Sequence, residues 1–261
     1  MTGLLERVET SVQGWLKTAT RPFVLGICGA QGAGKSTLSH GLASRLKGDG
    51  LKVAVLSLDD LYLASEARPV AISKLFATRG VPGTHDVALG ARVFDSLKSG
   101  RPTHLPRFDK ANDRPLPESE WPEITAPDVI IFEGWCVGAR PQADENLATP
   151  INDLEREDDG AWRRAVNEAL KGPYATLFSH IARLVLLAAP GFEVVQAWRM
   201  QQEHDLSRML EKTGKTGAKV MSDGQIAQFI QHYERLTRYI LSEMPERADL
   251  TLRLDADRNL L

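Results

Sequence analysis

Residues Phe23 to Ser36 read FVLGICGAQGAGKS, and this stretch decides the fold. Its first half, Phe23 to Cys28, is an almost wholly apolar run, which predicts a strand buried on both faces. Its second half, Gly29 to Ser36, matches the phosphate-binding pattern G-x-x-x-x-G-K-[ST]. Three leucines then recur about one helical turn apart and predict a helix: Leu38, Leu42 and Leu46. The motif therefore lies between a strand and a helix, where the chemistry of a phosphate-binding loop requires it.

The chemistry of this loop is local. Glycines let the backbone wrap closely around an anion with its N–H groups pointing inward, and the helix that follows adds its positive N-terminal end. Lys35 is expected to reach the terminal phosphates of a nucleotide, and the Ser36 hydroxyl is expected to hold Mg²⁺. ATP and Mg²⁺ are therefore the predicted cofactors, bound by Gly29, Ala30, Gln31, Gly32, Ala33, Gly34, Lys35, Ser36 and Thr37.

Composition bounds the class of protein. The 261 residues are 43% hydrophobic and 25% charged, with a net charge of −2, and we expect one domain across residues 1–261. No basic block stands out, which argues against nucleic acid as a partner. No apolar run approaches a membrane span and the N-terminus lacks a signal-peptide core, so no membrane association and a cytoplasmic location are expected. Cys28 and Cys136 are interpreted as reduced core residues.

The rest of the chain alternates between strand and helix patterns. Apolar runs predict strands at 52–58, 128–132, 183–188 and 250–254, and helical periodicity predicts helices at about 4–18, 88–98, 162–170 and 192–210. A last helix ends at Met244 and is introduced by Ser222 and Gln225, which form a predicted capping box. Strands separated by helices imply a parallel sheet wrapped on both faces, with ligands at the carboxyl ends of the strands.

Two polar segments are predicted to be loops. Residues 142–160 are acidic and are interpreted as a solvated surface loop, whereas residues 211–224 are rich in glycine and lysine and are expected to be mobile. Within the second segment, Gly214-Lys215-Thr216 looks like another phosphate loop. It follows a helix and has Met209 where the first glycine of the pattern should stand, so we interpret it as loop sequence only.

Acidic residues at the ends of two predicted strands point to phosphoryl transfer. Asp59 and Asp60 follow the second strand directly, and neighbours in an extended chain point to opposite sides, so one of them is expected to face a substrate. Glu133 closes the third strand, where an acid can hold Mg²⁺ or its water opposite the phosphate loop. The structural alternatives are a solvated acidic turn or helix cap for the pair and a simple strand-end charge for Glu133.

A phosphate loop alone is shared by kinases, GTPases and ATPase motors. A GTPase would carry an Asn-Lys-x-Asp motif that reads the base, and no Asn-Lys pair occurs in this chain. A motor would need interaction surfaces and usually more length. A small-molecule kinase needs an acid that accepts the hydroxyl proton of the substrate, a second acid near Mg²⁺ and basic groups over the transferring phosphoryl. This chain offers residues for all of these parts.

The order of these motifs resembles the uridine kinase, phosphoribulokinase and pantothenate kinase group. After the phosphate loop come Ser57-Leu58-Asp59-Asp60-Leu61-Tyr62, His85-Asp86, Pro106-Arg107-Phe108-Asp109 with Arg114, and Glu133-Gly134. Four stretches are most similar to the D-glycerate 3-kinase family: Arg79 to Asp86, Phe108-Asp109-Lys110, Glu133-Gly134-Trp135 and Trp198-Arg199-Met200-Gln201. The similarity runs from Phe23 to about Tyr239. It implies an α/β P-loop NTPase fold with a five-stranded parallel sheet, helices on both faces and a helical lid at about 192–222.

The resemblance also implies a catalytic arrangement. It makes Asp59 the general base that positions and deprotonates a primary hydroxyl. Lys35 and the lid arginine Arg199, with Arg208 as its alternative, would stabilise the transferring phosphoryl. Glu133 would complete the catalytic set and share the metal with the serine of the phosphate loop.

A predicted substrate shell follows from the same resemblance. Its members are Asp60, Tyr62, His85, Asp86, Arg107, Asp109, Lys110 and Arg114. Arginine suits an acid acceptor because its planar fork can bind both carboxylate oxygens. For His85 and Asp86, a turn stabilised by aspartate side-chain bonds is the structural alternative.

The acceptor that the resemblance implies is D-glycerate, which would become 3-phosphoglycerate. One departure keeps other acceptors open: plant and fungal members carry a Gly-rich insert where this chain has the short segment Asp109 to Arg114. The first alternative is another small acid or polyol, such as a pantothenate- or nucleoside-like metabolite. The second is a regulatory nucleotide-binding protein without an acceptor. The sequence leaves the oligomeric state open.

Overall fold

The computed structural model describes residues 2–213 and 221–261. The strands, in chain order, are β1 Phe23–Gly29, β2 Val53–Ser57, β3 Thr103–His104, β4 Phe108–Asp109, β5 Arg114–Pro115, β6 Glu123–Ile124, β7 Val129–Gly134, β8 Arg183–Ala188 and β9 Leu250–Arg253. The helices are α1 Thr2–Leu16, α2 Lys35–Gly48, α3 Val87–Lys98, α4 Asp153–Arg156, α5 Ala161–Lys171, α6 Pro173–Phe178, α7 Phe192–Thr213 and α8 Asp223–Glu243.

Five strands form one parallel sheet in the order β2-β7-β1-β8-β9, which confirms the predicted fold class. β1 lies at the centre with all seven residues buried, because helices cover the sheet on both faces. In β7, Glu133 lies between Ile27 of β1 and Ser57 of β2. The strand that ends in this acid is therefore flanked by the strands that lead into the phosphate loop and into the aspartate pair.

The helical hairpin of α7 and α8 follows the sheet strand β8. The predicted capping box of α8 is confirmed, since Ser222 and Gln225 each accept from the backbone N–H of the other. Residues 214–220, which include Gly214-Lys215-Thr216 and much of the segment expected to be mobile, lie outside the described residues. In the described ranges, no helix is long and apolar enough to cross a membrane.

The acidic segment 142–160 is not the solvated loop that its composition predicted. It contains α4, buries Leu147 and Leu154, and packs against α8. The carboxylate of Glu155 is buried and pairs with Arg235 of α8 at 2.7 Å. Composition hid this outcome because the partner of the buried acid lies 80 residues away.

Two short antiparallel ribbons, β3–β6 and β4–β5, lie in the long connection between β2 and β7. The ribbon β4–β5 places Asp109 opposite Arg114. It is joined to the turn after β2, because Asp60 accepts a hydrogen bond from the Phe108 N–H at 3.2 Å. The ribbon therefore brings several of the predicted substrate residues to the carboxyl edge of the sheet.

Candidate active site

The phosphate loop adopts the conformation that its glycines allow. Gly32 and Gly34 have φ angles of 80° and 89°, in the left-handed region that favours glycine. α2 starts at Lys35 directly after this loop, so its unpaired N–H groups face the loop. A Cβ at Gly32 would also lie 2.6 Å from the Cβ of Trp198. The loop is therefore shaped to hold an anion at a helix N-terminus.

The residues expected to hold Mg²⁺ are in contact. The Ser36 hydroxyl donates to Glu133 Oε1 at 3.1 Å, and Glu133 is buried. Hydroxyl and carboxylate oxygens are ligands that Mg²⁺ accepts, so this pair fits the metal of a nucleotide complex. Lys35 Nζ donates to the carbonyl oxygen of Ala30 at 3.1 Å, which folds its charge back over the loop. Gln31 Oε1 is buried with no partner among the described residues.

Asp59 is held by a cation and a phenol. Its Oδ1 accepts from the Tyr62 hydroxyl at 2.6 Å, and its Oδ2 accepts from Lys110 Nζ at 2.6 Å. Burial alone would raise the pKa of this carboxyl, but the charge and hydrogen bond of Lys110 and the bond from Tyr62 outweigh burial. The pKa therefore lies below its ordinary value, and Asp59 is ionised at neutral pH.

Asp60 has different hydrogen-bond partners from Asp59. Its Oδ1 accepts from the Phe108 N–H, and its Oδ2 accepts from Arg107 at 3.3 Å. Burial raises the pKa of Asp60 and the charge of Arg107 opposes that rise. Asp60 thus fastens the ribbon β4–β5 to the turn after β2, while Asp59 faces a lysine.

His85 is a buried, neutral imidazole beneath this turn. Burial lowers its pKa to about 3, and its ring centroid lies 4.8 Å from that of Tyr62. Its Nδ1 lies 2.5 Å from the Tyr174 hydroxyl, which also accepts from the Gly83 N–H at 3.0 Å. Its Nε2 is buried without a partner in the part of the chain that the structure describes. His85 therefore packs under the ring that hydrogen-bonds Asp59.

Two acids of the predicted substrate shell stabilise local structure. Asp86 Oδ1 accepts from the Leu89 N–H at 2.8 Å and caps α3, which is the alternative that the sequence left open. Asp109 Oδ1 accepts from the backbone N–H groups of Ala111 and Asn112 and shapes the turn of the ribbon β4–β5. The hydrogen bonds of both acids are therefore those of a helix cap and a turn.

The basic residues of the predicted shell separate into two groups. Arg107 and Lys110 pair with the two aspartates at 3.3 and 2.6 Å. Arg114 is exposed in β5, opposite Asp109. Hydrogen bonds from Asn112 lower the pKa of Asp109 most, and the charge of Arg114 lowers it further. The structure brings the first two to the aspartate pair and leaves Arg114 at the surface.

Sequence reasoning did not assign a role to Arg79. Its guanidinium lies 5.8 Å from the ring centroid of Tyr62 and 5.6 Å from that of Phe108. It pairs with Asp113, which Arg68 also contacts at 2.6 Å. Burial alone would raise the pKa of Asp113, but the two arginines hold it below its ordinary value. The sequence did contain a signal for Arg79, because Arg79 opens a stretch that resembles the kinase family. Its pairing could not be predicted, because its acidic partner lies 34 residues away.

The two candidate lid arginines differ in their surroundings. Arg199 is 21% exposed, pairs with the buried Glu203 at 2.7 Å, and lies 5.7 Å from the Phe229 ring of α8. Arg208 is 67% exposed and pairs with Asp205 at 2.5 Å. Arg199 is therefore the one fixed within the hairpin.

The turn after β9 also contacts the phosphate loop. Arg258 Nε donates to the Gly32 carbonyl oxygen at 2.7 Å, and its guanidinium lies 5.0 Å from the Trp198 ring. The Trp198 indole N–H donates to the Ala256 carbonyl oxygen at 2.6 Å. The loop is thus held between α7 and the C-terminal turn. No sequence pattern predicted this contact, because the family resemblance ends near Tyr239.

Known proteins are similar to this chain along most of its length. A protein of Schizosaccharomyces pombe named uncharacterized kinase mug58 is 35% identical over 234 residues, which cover 83% of this chain and 80% of that protein. The chloroplastic D-glycerate 3-kinase of Arabidopsis thaliana is 29% identical over 261 residues, which cover 91% of this chain and 54% of that protein. The structure of a D-glycerate 3-kinase from Cryptococcus neoformans superposes with a TM-score of 0.79 at 25% identity, covering 99% of this chain and 97% of the other.

A family model described as methylmalonyl Co-A mutase-associated GTPase MeaB matches residues 7–64. These residues hold β1, the phosphate loop, α2 and β2, the part of the fold that P-loop proteins of many functions share. The match ends before Glu133 and the ribbon β4–β5. It therefore covers the phosphate loop and the turn with Asp59, Asp60 and Tyr62, but not the other residues of the candidate site.

Proposed function

The chain belongs to the D-glycerate 3-kinase family of P-loop kinases, and we propose that it phosphorylates the primary hydroxyl of D-glycerate to give 3-phosphoglycerate. As a member it is an ATP-dependent phosphotransferase with an alcohol group as acceptor. The observation that carries the proposal is the ionised Asp59, held by Lys110 and Tyr62 at the sheet edge where the phosphate loop also lies. A carboxylate there can accept the proton of a hydroxyl directed at the nucleotide.

On the nucleotide side, the backbone of residues 29–37 would bind the phosphates of ATP. Lys35 would exchange its contact with the Ala30 carbonyl oxygen for the terminal phosphate. Ser36 and Glu133, already in contact at 3.1 Å, would hold Mg²⁺ directly or through water. When bound, the metal neutralises charge that develops on the transferring group.

On the acceptor side, Asp59 would accept a hydrogen bond from the primary hydroxyl and take its proton as the new O–P bond forms and the bond from the γ-phosphorus to the bridging oxygen breaks, releasing ADP. Lys110 lies 2.6 Å from Oδ2 of Asp59, so the hydroxyl has to share or displace that contact. Asp60, His85 and Arg107 would act indirectly by holding Tyr62 and the ribbon β4–β5 in place. For Asp86, Asp109 and Arg114, contact with the acceptor stays a prediction of the family resemblance.

We infer a lid at about 192–222, which begins with α7, with Arg199 as the arginine that reaches the transferring phosphoryl. Support comes from its neighbour Trp198, which packs against Gly32 of the phosphate loop. Arg199 pairs with Glu203 in this structure. When the lid closes, Arg199 would leave this carboxylate and bind the phosphoryl group. Residues 1–261 would then act as one kinase domain.

An ADP-release assay over a panel of small acids and polyols tests the proposal. We expect turnover with D-glycerate that depends on both Mg²⁺ and the acceptor, and much lower turnover with pantothenate, uridine or glycerol. Turnover with another member of the panel would assign the alternative acceptor. Slow ADP release that no acceptor changes would instead support a regulatory nucleotide-binding protein.

A further inference from the structure

One carboxylate on the acceptor side of the site is shared by two arginines. Each aspartate after β2 has one cationic partner, Lys110 or Arg107. Asp113, in contrast, pairs with both Arg68 and Arg79. The Arg68 side chain is 3% exposed and also donates to backbone oxygens, whereas the Arg79 side chain is 29% exposed. Arg79 is therefore the arginine of this pair that solvent reaches, and it shares its carboxylate with a second cation.

Resting on the proposed function, we propose that Arg79 binds the carboxylate of the acceptor and selects acids over uncharged polyols. Its guanidinium bonds Asp113 and, at 3.2 Å, the carbonyl oxygen of Lys110. A guanidinium has five N–H donors, so donors remain for a ligand. Its planar fork matches the two oxygens of a carboxylate, which a lysine at this position would not.

Tyr62 sets the separation between this anchor and the general base. Its ring lies under the Arg79 guanidinium at 5.8 Å, and its hydroxyl donates to Asp59 at 2.6 Å. Phe108 meets the Tyr62 ring edge-on at 5.3 Å and forms a second wall beside Arg79. The two ends of an acceptor would thus lie along one tyrosine side chain.

The backbone that carries the anchor is fixed from three elements. The Tyr233 hydroxyl of α8 donates to the Arg79 carbonyl oxygen at 2.8 Å, and the Trp135 indole N–H donates to the Gly80 carbonyl oxygen at 2.7 Å. The Gly80 N–H donates to Thr84 Oγ1 at 2.9 Å, and a side chain at Gly80 would collide with the Tyr233 hydroxyl. Such fixation lowers the cost of ordering the arginine on binding. Tyr233 is therefore a positioning residue that links α8 to the acceptor.

Arg114 is the competing anchor. Its side chain is exposed in β5, opposite Asp109. Binding at Arg114 would order a solvent-exposed side chain and would cost conformational entropy. Arg79 has already lost this entropy in the free protein, because Asp113 and the rings of Tyr62 and Phe108 hold its side chain in place. The structure thus favours Arg79.

The test compares an acid with an uncharged acceptor. The kcat/KM for D-glycerate and for glycerol is measured in wild type, Arg79→Gln and Arg114→Gln, with Arg101→Gln as a matched control at an exposed arginine after α3. Arg79→Gln is expected to lower the glycerate-to-glycerol ratio about ten- to hundredfold, chiefly through the KM for glycerate. The KM for ATP and the Tm should stay near wild type, and Arg101→Gln should leave the ratio unchanged.

Tyr233→Phe is a second variant that keeps the charge of Arg79. It removes the hydroxyl that bonds the Arg79 carbonyl oxygen, so the KM for glycerate should rise about two- to tenfold while the KM for ATP is unchanged. A merely structural role of Tyr233 would lower the Tm and leave both KM values near wild type, which would overturn its part in positioning.

Two results overturn the role of Arg79. One is a folded Arg79→Gln enzyme with wild-type selectivity, and the other is loss of selectivity in Arg114→Gln in place of Arg79→Gln. Failure of the proposed function looks different, because wild type itself would then not turn over D-glycerate. In that case the ratio of kcat/KM for an acid to kcat/KM for glycerol is measured with the acid that the panel identifies. A wild type that turns over only uncharged acceptors also overturns the role of Arg79.

Discussion

The two sides of the active site are built in opposite ways. On the nucleotide side, strand β1, the phosphate loop and helix α2 follow one another in a single stretch, residues 23–48. The acceptor side is assembled from distant residues: Lys110 lies 51 residues from Asp59, and Asp113 lies 34 residues from Arg79. Backbone conformation forms the first side, and paired charged side chains form the second.

This difference divides recognition between the two sides. A loop of backbone N–H groups binds phosphate in many proteins and therefore says little about the acceptor. A charged pair exists only when both partners are present, and loss of one leaves the other unpaired in a half-buried site. On the proposed function, the nucleotide side would bind a phosphate group that many proteins bind, and the choice of acceptor would depend on the acceptor side.

The largest effect is expected on the nucleotide side. Lys35→Met should abolish phosphoryl transfer, because no other group of the loop carries a positive charge to the terminal phosphate. The fold should be retained, since the hydrogen bond that Lys35 Nζ makes in the described residues goes to a backbone oxygen of the loop. Turnover and thermal unfolding are measured on the same preparation. Near-wild-type turnover would contradict the assignment of the phosphate loop.

The next effect separates the adjacent aspartates. Asp59→Asn should lower kcat by about 10²–10⁴ with the KM for ATP largely kept, because a positioned base acts on the acceptor. Asp60→Asn should cost less, since Asp60 fastens the ribbon β4–β5. Steady-state kinetics with each substrate varied in turn makes the comparison. A larger loss in Asp60→Asn would reverse the roles of the pair.

A pH profile sharpens the view of Asp59. Lys110 holds the pKa of Asp59 below its ordinary value, whereas burial acts to raise it. Lys110→Met should therefore raise this pKa and move the acid limb of log kcat/KM for the acceptor to higher pH. His85, with a pKa lowered by burial to about 3, should add no limb near neutrality. An acid limb that stays in place would show that a group other than Asp59 titrates.

The smallest effect on turnover is expected outside both sides. Glu155→Gln leaves the guanidinium of Arg235 without its buried anionic partner and should lower the stability by about 1–3 kcal/mol. The kcat should change little, because the hydrogen bonds and ion pairs of Asp59 and Asp60 in the described residues involve none of residues 142–160. Urea unfolding and turnover are compared with Asp153→Asn, an exposed acid of the same helix α4. A large loss of kcat in folded Glu155→Gln, with the kcat of Asp153→Asn near wild type, would place this segment in the catalytic machinery.

The fold could be predicted because its signals are local. Strands buried on both faces are continuous apolar runs, and the predicted strand 183–188 coincides with β8. The acids at strand ends followed from the same patterns, which placed Asp59 and Glu133 at the carboxyl edge. Topology then brought these ends together without further information from the sequence.

The side-chain pairings of the acceptor side could not be predicted, because they join residues across long separations in sequence. Contact between Arg114 and an acceptor stays a prediction, and the register of the short ribbon β4–β5 places Arg114 opposite Asp109 at the surface. Arg79 gained its place from Asp113 and from two rings, none of which is near it in sequence. The loop prediction for 142–160 failed for the same reason, because Arg235 lies 80 residues from Glu155.

The central claim is that the acceptor side presents the primary hydroxyl of a small acid to the nucleotide. Phosphorus NMR of a reaction containing the enzyme, ATP, Mg²⁺ and D-glycerate tests it most directly. The expected result is 3-phosphoglycerate formed in equal amount with ADP. Formation of 2-phosphoglycerate, or of ADP and free phosphate with no phosphorylated acid, would contradict the claim.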